Sequence, residues 1–382
     1  MRLAIIASLL PVDTRGGAER YVANSAKSLA DNHDVVLLTG SDHGTVDGIP
    51  IVRLPHLPRL AGDAPVAGRM VWHALDQWLP RVHRAVAREL KRVRPDAVFS
   101  HELQGLSAAA FTAIAHSRIP HIHTAHDFNL LCARTSMTRN GEYCGGRCVD
   151  CRVQRTIRGR AIKLNLTRLI GVSRYICDRH VRAGIVPSER AQAIRLGARP
   201  VAGRVREVNG TGPVLGFIGS LGRHKGILTL LDAFARTDEN WRLVIAGDGS
   251  CRRHVEAAAA ADPRIEYLGH VENSRKDAFF DKLDLVVIPS EWEEPATFVA
   301  VEAGIRGLPA VVSERGGLPE TPEARTFRAG DAQELLRAVE WFIERPERLA
   351  GASERLLARS EEFSWDHHME RVEQVLAETV PS

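Results

Sequence analysis

Two carboxylates in the second half of the chain have a spacing that suits sugar recognition. Glu294 precedes Glu302 by eight positions and follows Pro289-Ser290. Eight residues are slightly more than two helical turns, so a carboxylate at a loop edge and one on the next helix can face the same cleft. A carboxylate can accept hydrogen bonds from two neighbouring hydroxyls, as ribose or hexose recognition requires. The spacing therefore predicts a sugar site, whereas Glu291 and Glu293 are interpreted as solvent-facing loop acids.

A glycine-rich basic loop comes earlier in the same half. It runs from Gly219 to Gly226, follows an apolar run and precedes a helical pattern. Glycine backbone, the cations of Arg223 and Lys225, and the free amides of a helix start together suit a diphosphate. A cation about 4 Å from a phosphate oxygen contributes on the order of 4 kcal/mol at an effective dielectric of ~20, before desolvation is subtracted. The alternative interpretation is a solvated basic loop.

Adjacent glycines also follow the first apolar run of the chain. Gly16 and Gly17 precede a helical pattern with apolar residues on one face. Two glycines let the backbone approach a ligand closely, and the helix start offers free amides to an anion. A purely structural turn is the alternative. Gly316-Gly317 forms a further glycine turn after another apolar run.

Four of the six cysteines lie within twenty residues, at Cys132, Cys144, Cys148 and Cys151. Disulfides are rare in cytoplasmic proteins, so the cluster is interpreted as a structural four-thiolate zinc site. An iron–sulfur cluster and unliganded or redox-sensitive thiols are the alternatives. Cys177 and Cys251 are interpreted as small core residues.

The elements that must position these residues alternate between strand and helix. Short apolar runs are predicted as strands, with helical segments such as Ile227–Ala235 between them; the runs are Leu3–Ala7, Val35–Leu38, Ala97–Phe99, His121–His123, Leu169–Val172, Val214–Ile218, Leu243–Ala246, Ile265–Leu268, Leu285–Ile288 and Ala310–Val312. Such alternation predicts parallel sheets with helices on both faces and ligands beyond the carboxyl ends of the strands. The Gly-, Pro- and Arg-rich segment Ala198–Pro213 is interpreted as an inter-domain linker, with the boundary near residue 205.

Composition and charge restrict the possible classes. Hydrophobic residues make up 44% and charged residues 26% of the 382 residues, which is typical of a globular protein. The net charge of +4 is too small to indicate nucleic acid as the partner. The run Leu3–Leu10 is too short for a signal peptide or membrane span, so we expect a cytoplasmic protein. The basic segment Arg134–Arg168 is either a solvated face or a surface for anionic lipid or phosphate, and thus a possible peripheral membrane contact.

The motifs together resemble those of the family-4 retaining glycosyltransferases, group 1, which have the GT-B fold. The resemblance extends over essentially the whole chain and includes Gly16-Gly17, His126 in His123–Asp127, Ser173, Lys225-Gly226, Gly247, Pro289-Ser290, Glu294 with Glu302-Ala303, Gly307 with Pro309, and Gly316-Gly317 with Glu320. It implies an α/β protein of two Rossmann-like, doubly wound domains facing a central cleft. Residues 1–204 would form the acceptor-side domain and 205–360 the donor-side domain. The ending Phe363-Ser364-Trp365 and a helix within 361–382 would return to the first domain.

The resemblance also implies roles for individual residues. Lys225 and Arg223 would bind the donor diphosphate, Glu302 the ribose hydroxyls, and Glu294 the transferred sugar. His126 would contact that sugar from the opposite domain, with Asp127 orienting its ring. The sequence departs from the family at Ser220, where an Arg is usual, and at Pro295–Phe298, which lacks the usual Phe-Gly pair.

The expected activity is transfer of a sugar from a nucleotide diphosphate sugar to a hydroxyl of a glycan, lipid-linked or small-molecule acceptor, in EC class 2.4. No Asp-x-Asp occurs in the sequence, so we expect no catalytic metal. The family resemblance favours a front-side, retaining mechanism over double displacement. A sugar-nucleotide epimerase of the same architecture and a non-catalytic sugar-nucleotide binder are the alternatives. A nicotinamide dehydrogenase is disfavoured because no Gly-x-Gly-x-x-Gly follows the first strand.

Overall fold

A computed structural model describes residues 1–10, 16–41, 44–58, 65–139, 142–145, 148–207, 212–237 and 240–380. The chain divides into two compact units. The first comprises Met1–Arg139, Cys144–Ile194 and Met369–Ser382, and the second comprises Asn140–Tyr143 and Arg195–His368. Gly146 and Arg147 of the cysteine-rich basic segment, and 208–211 of the expected linker, lie outside the described residues.

The first unit is built on a sheet of eight strands within the described residues, in the order β10-β9-β6-β5-β1-β2-β4-β3. Its pairs are parallel apart from the antiparallel pair of β3 with β4. The strands of this half are β1 Arg2–Ala7, β2 Asp34–Thr39, β3 Thr45–Val46, β4 Ile49–Arg53, β5 Ala97–Ser100, β6 His121–Ala125, β7 Thr138–Arg139, β8 Glu142–Tyr143, β9 Leu166–Gly171 and β10 Ala191–Ala193. The helices are α1 Gly17–Ala30, α2 Val66–Gln77, α3 Pro80–Val93, α4 Ser107–Ser117, α5 Val149–Lys163 and α6 Arg174–Arg182.

The second unit has a parallel sheet of six strands within its described part, in the order β13-β12-β11-β14-β15-β16. These strands are β11 Val214–Ile218, β12 Arg242–Ala246, β13 Ile265–Tyr267, β14 Leu285–Ile288, β15 Ala310–Ser313 and β16 Ala324–Phe327. The helices are α7 Ile227–Phe234, α8 Arg252–Ala261, α9 Asn273–Asp281, α10 Phe298–Gly304, α11 Ala332–Ile343 and α12 Pro346–Ala358. The last helix, α13 Trp365–Thr379, begins in the second unit and continues into the first.

Both faces of the second sheet are buried, as parallel sheets require. Leu215 and Phe217 of β11 pack with Leu243 of β12 in one apolar cluster. The alternate residues Val214 and Val244 pack in the cluster on the opposite face. Each large apolar side chain buried in this way contributes about 1.5–3 kcal/mol. The clusters fix the register of the strands and hence the position of the loops at their carboxyl ends.

The ten predicted strands are all present, as β1, β2, β5, β6, β9, β11, β12, β13, β14 and β15. Six strands in the described residues were missed: β3, β7 and β8, which have two residues each, and the longer β4, β10 and β16. Pro50 interrupts β4, charged Arg325 lies in β16, and β10 has no large apolar residue, so none of them shows an apolar run. The strands β4, β10 and β16 lie near or at the sheet edges, where partial exposure relaxes the need for a continuous apolar pattern.

The segment expected as a linker packs within the second unit over its described residues. Arg206 is buried, and its guanidinium donates to the Leu283 carbonyl at 2.9 Å. The Arg206 amide donates to Ser353 Oγ at 2.9 Å. Further upstream, the Ala198 amide donates to the Phe363 carbonyl at 2.8 Å. The long segment of the second unit starts at Arg195, earlier than the boundary predicted near residue 205.

Candidate active site

The glycine-rich basic loop lies at the carboxyl end of β11. Gly219 follows the strand, a short 3-10 turn covers Arg223–Lys225, and Gly226 is the N-cap of α7. The Arg223 side chain is exposed, and the Lys225 side chain is half-buried. The predicted strand–loop–helix context of both cations is therefore present.

Two glycines of this region are required by close backbone contacts. A Cβ on Gly226 would lie 1.7 Å from the Pro289 carbonyl oxygen, and the φ angle of Gly226 is +70°. A Cβ on Gly247, after β12, would lie 1.8 Å from the Gly219 carbonyl oxygen. The loops after β11, β12 and β14 thus approach each other more closely than side-chain-bearing residues allow.

Lys225 and Glu294 form an ion pair, with Nζ 3.0 Å from Oε1 and 2.8 Å from Oε2. Glu294 is buried, and its Oε2 also accepts hydrogen bonds from Ser290 Oγ at 2.9 Å and Trp292 Nε1 at 2.8 Å. The Lys225 ammonium lies 5.0 Å from the centre of the Trp292 ring, a cation–π contact. A buried carboxylate with these donors is satisfied as an anion and is fixed in orientation.

The glycine turn after β15 completes this arrangement. The Gly317 amide donates to the Glu294 carbonyl oxygen at 2.7 Å. A Cβ on Gly316 would lie 2.1 Å from the same oxygen, and the φ angle of Gly316 is +62°. Glu294 is consequently held through both its backbone and its side chain. The Gly316-Gly317 turn therefore packs directly against the loop that carries Glu294.

Glu302 lies on α10, which begins at Phe298 behind the N-cap Thr297. One carboxylate oxygen, Oε1, pairs with the ammonium of Lys276 on α9. The other, Oε2, is buried and has no hydrogen-bond partner in the described structure. A buried carboxylate oxygen that lacks a donor is favourable for a ligand hydroxyl. This observation fits the ribose-binding role that the family resemblance implies for Glu302.

The interpretation of Glu291 and Glu293 as solvent-facing acids was wrong. Glu291 Oε1 accepts a hydrogen bond from Thr229 Oγ1 at 2.5 Å. Glu293 is buried, and its Oε1 lies 3.5 Å from Arg315 Nη1. Both side chains are held by partners far along the chain, which the local sequence does not reveal. They brace the loop that carries Glu294.

In the first unit, Gly16 is the N-cap of α1, and Gly17 is exposed. A Cβ on Gly16 would lie 1.9 Å from Glu19 Oε2, so the first-turn carboxylate lies against the glycine. A carboxylate near a helix N-terminus is stabilised by the helix dipole. Its negative charge makes this end of α1 better suited to a hydroxyl than to a phosphate.

Glu19 also borders a polar cavity of about 370 Å³, contained in the first unit. Its lining includes Ser8, His56, Trp72, Glu102 and Gln104. Carboxylates, a hydroxyl and an amide beside an indole ring are groups that bind sugars through hydroxyls and an apolar ring face. No spacing rule in the sequence joins these residues, because they come from separate loops and from α2.

His126 follows β6 and is half-buried. Its Nε2 lies 3.2 Å from Nδ1 of His101, and its ring contacts Tyr21 edge-on with centroids 4.5 Å apart. Burial lowers the pKa of His101 to about 3, so His101 is neutral at physiological pH. His126 is thus fixed by two aromatic neighbours that the sequence analysis missed.

Asp127 was expected to orient His126, and its Oδ1 accepts the Asn129 amide at 2.8 Å. Burial raises the pKa of Asp127 to about 6, although this hydrogen bond and the charge of Arg158 lower it. Arg158 is itself buried. Its guanidinium forms a salt bridge with the Asp76 carboxylate and donates a hydrogen bond to Asn129 Oδ1 at 2.7 Å. One arginine of the basic segment is therefore a structural residue rather than part of a solvated face.

The four clustered cysteines come together in the first unit. Cys151 Sγ lies 3.5 Å from Cys132 Sγ and 3.9 Å from Cys148 Sγ, and Cys148 Sγ lies 3.8 Å from Cys144 Sγ. All four are free thiols. Cys177 and Cys251 are buried elsewhere, as predicted.

A second cavity of about 180 Å³ lies beside the cysteines, and Arg155, Arg179 and Arg182 line it. Three guanidinium groups around one cavity suit an anion such as phosphate. Among the helices in the described ranges, none is long and apolar enough to cross a membrane.

Two family models match the chain in succession. The model of "Glycosyltransferase Family 4" matches residues 15–199, and that of "Glycosyl transferases group 1" matches residues 212–345. An uncharacterized 42.6 kDa protein in the cps region of Klebsiella pneumoniae is 25% identical over 80% of this chain and 83% of its own length. The 2-deoxystreptamine glucosyltransferase of Streptomyces kanamyceticus is 29% identical over 46% of this chain and 48% of its own length.

Solved structures agree on the fold. The crystal structure of HepE from Anabaena in complex with UDP has a TM-score of 0.72 at 18% identity and covers 99% of this chain and 100% of that one. Sucrose-phosphate synthase from Thermosynechococcus elongatus has a TM-score of 0.73 at 18% identity, with 99% and 98% covered. The predicted family, fold and enzyme class are confirmed: the chain is a glycosyltransferase of the group 1, family 4 type, with the GT-B fold.

Proposed function

We propose that this glycosyltransferase moves a sugar from a nucleotide diphosphate sugar to an acceptor hydroxyl, with retention of anomeric configuration and without a catalytic metal. The observation that carries the proposal is the Lys225–Glu294 pair in a glycine-rich loop cluster, with exposed Arg223 beside it. The cations suit the donor diphosphate, and the unpaired Glu302 oxygen suits a ribose hydroxyl. HepE, a structural relative, binds UDP.

In the proposed front-side reaction, the bond between the sugar C1 and the diphosphate oxygen breaks. The acceptor oxygen bonds to C1 on the same face, and the departing diphosphate oxygen takes the acceptor proton. Lys225 and Arg223 stabilise the negative charge that develops on the diphosphate. This proposal needs no metal bound by an Asp-x-Asp motif, which the sequence lacks. Glu294 holds the transferred sugar.

The acceptor side of the proposal rests on the first unit. The polar cavity beside Glu19 would take a hydroxyl-bearing group, and Trp72 of α2 is in its lining. On its outer side α2 exposes Met70, Val71 and Leu75. Helix α5 contacts α2 through the salt bridge between Arg158 and Asp76. The surface of α5 exposes Val153 together with four basic side chains, Arg152, Arg155, Arg160 and Lys163.

An apolar surface mixed with cations suits the interface of an anionic membrane. We therefore propose a lipid-linked acceptor whose phosphate binds the arginine-lined cavity. Sedimentation with vesicles of anionic and of neutral phospholipids tests the membrane contact. Binding only to anionic vesicles, lost in a Met70→Ser, Leu75→Ser double variant, is expected. Equal recovery in the supernatant with both vesicle types would contradict it.

The transfer reaction is tested in two steps. Thermal stabilisation by UDP-, GDP-, ADP- and dTDP-linked sugars identifies the donor, since a ligand at ~100 times its dissociation constant adds about 2.7 kcal/mol. Transfer is then assayed after brief chelation in magnesium-free buffer, and the product anomer is determined by NMR. Strict dependence on added divalent metal, or inversion, would refute the mechanism. Donor conversion without an acceptor would indicate an epimerase, and stabilisation without turnover a non-catalytic binder.

A further inference from the structure

We propose that Cys132, Cys144, Cys148 and Cys151 bind one zinc ion as thiolates. In a tetrahedral site with Zn–S bonds of about 2.3 Å, neighbouring sulfurs are about 3.8 Å apart. The three sulfur–sulfur distances of 3.5, 3.8 and 3.9 Å match this spacing. A full tetrahedron has six such edges, and three sulfur–sulfur distances are already near the expected value.

These contacts link the sulfurs in the order Cys132, Cys151, Cys148 and Cys144. As it stands, no group of three or more His, Cys, Asp or Glu side chains in the described parts of the chain is placed to hold a metal ion. Rotation of a cysteine about χ1 moves its sulfur by about 3 Å, enough to bring a terminal thiolate onto a shared ion. Such a rotation of Cys144 would break the hydrogen bond from its thiol to the Met137 carbonyl oxygen. That oxygen would still accept a hydrogen bond from the Cys144 backbone amide, at 2.9 Å.

The contacts favour one shared ion over two disulfides. Cys151 touches both Cys132 and Cys148, and Cys148 also touches Cys144, so the sulfurs are not sorted into two isolated pairs. Cys148 is the N-cap of α5, and Cys151 lies in its first turn. Two of the four thiols are therefore placed by the same helix turn.

The site would brace the loop that carries His126. Two side chains of α5 hold Asn129, three positions after His126: Gln154 Nε2 donates to its carbonyl oxygen at 2.8 Å, and Arg158 Nη1 donates to its Oδ1 at 2.7 Å. A zinc ion ties the first turn of α5 to Cys132 of the same loop. Four thiolates leave no open coordination position, so the ion has a structural role.

Elemental analysis of protein purified without chelators tests the site directly. We expect about one zinc per chain, lost in Cys148→Ser and retained in the control Cys251→Ser, whose cysteine is buried in the second unit. If Cys148→Ser does not fold, the wild-type protein is titrated with a mercurial, which should release one zinc for four reacted thiols. Iron with visible charge-transfer absorption, or zinc below about a fifth of an equivalent with thiols or disulfides in its place, would overturn the proposal.

Hydrogen exchange gives the structural readout. Zinc removal should raise amide exchange at least about tenfold in 128–139 and at the start of α5, while exchange in β11 to β15 and stabilisation by the donor stay unchanged. Unchanged exchange in 128–139 would refute the bracing role. Zinc content and exchange are measured without turnover, so failure of the transferase proposal does not affect this test.

Discussion

The Lys225 ammonium lies 2.8 Å from Oε2 of Glu294, which joins a cation of the glycine-rich loop to a buried carboxylate after β14. Ser290 and Trp292 donate to the same oxygen. Lys225 therefore has a fixed position before any ligand binds. A fixed cation contributes most where charge develops during reaction, because it need not reorganise.

Lys225→Ala should consequently lower turnover more than donor binding, by about a hundredfold in kcat. Steady-state kinetics and equilibrium donor titration separate the two effects. Lys282→Ala is the matched control, because Lys282 forms an exposed pair with Glu266, with Nζ 2.8 Å from Oε1, and should leave both constants unchanged. A rise in KM alone would show that Lys225 only binds the donor.

Glu302→Ala should weaken donor binding by tens-fold or more. The unpaired Oε2 would accept a charge-assisted hydrogen bond from a ribose hydroxyl, worth about 1.5–3 kcal/mol. Calorimetric titration with the donor identified by the stabilisation screen measures the change. Glu266→Ala removes an exposed carboxylate that also pairs with a lysine and serves as the control. Unchanged affinity in a folded Glu302→Ala protein would exclude Glu302 from the donor site.

The sequence predicts most of the parallel strands because buried strands in such sheets are continuous apolar runs. The glycine loops and the Glu294–Glu302 spacing were also visible, since their function depends on local geometry. The hydrogen-bond partners of Glu294, including Lys225, could not be predicted. The burial of Glu293 and the packing of Arg206 were also missed, because each depends on residues distant in sequence. Periodicity carries no information about such contacts.

Gly226→Ala should destabilise the second unit strongly. The added Cβ would lie 1.7 Å from the Pro289 carbonyl oxygen, which is backbone and cannot turn aside. Gly269→Ala is a close control, because Gly269 has a φ angle of +67° and nothing within 4 Å of its added Cβ. The control isolates the penalty of the left-handed backbone conformation, about 1 kcal/mol. Thermal unfolding that shows equal losses in the two variants would contradict the steric argument.

Acid should destabilise the first unit through its buried histidines. Burial lowers the pKa of His101 and His121 from 6.5 to about 3 and that of His180 to about 4. Burial also lowers the pKa of His123 well below 6.5. Below pH ~6.5 the unfolded chain binds protons that the folded chain does not, so the free energy of unfolding falls as the pH drops.

Each histidine contributes a slope of about 1.4 kcal/mol per pH unit, down to its folded-state pKa. Asp127 opposes this between pH ~6 and ~4, because burial raises its pKa from 3.8 to about 6 and its folded form takes up a proton first. Asp127 offsets the effect of about one of the four histidines on the free energy of unfolding, so a net loss of stability remains as the pH falls. Urea unfolding at about pH 7.5, 6 and 5 measures that loss. His121→Gln should flatten the slope by about one proton, whereas His254→Gln, at an exposed position, should not change it. Stability that stays constant between pH ~7 and ~5 would show that these histidines titrate normally in the folded protein.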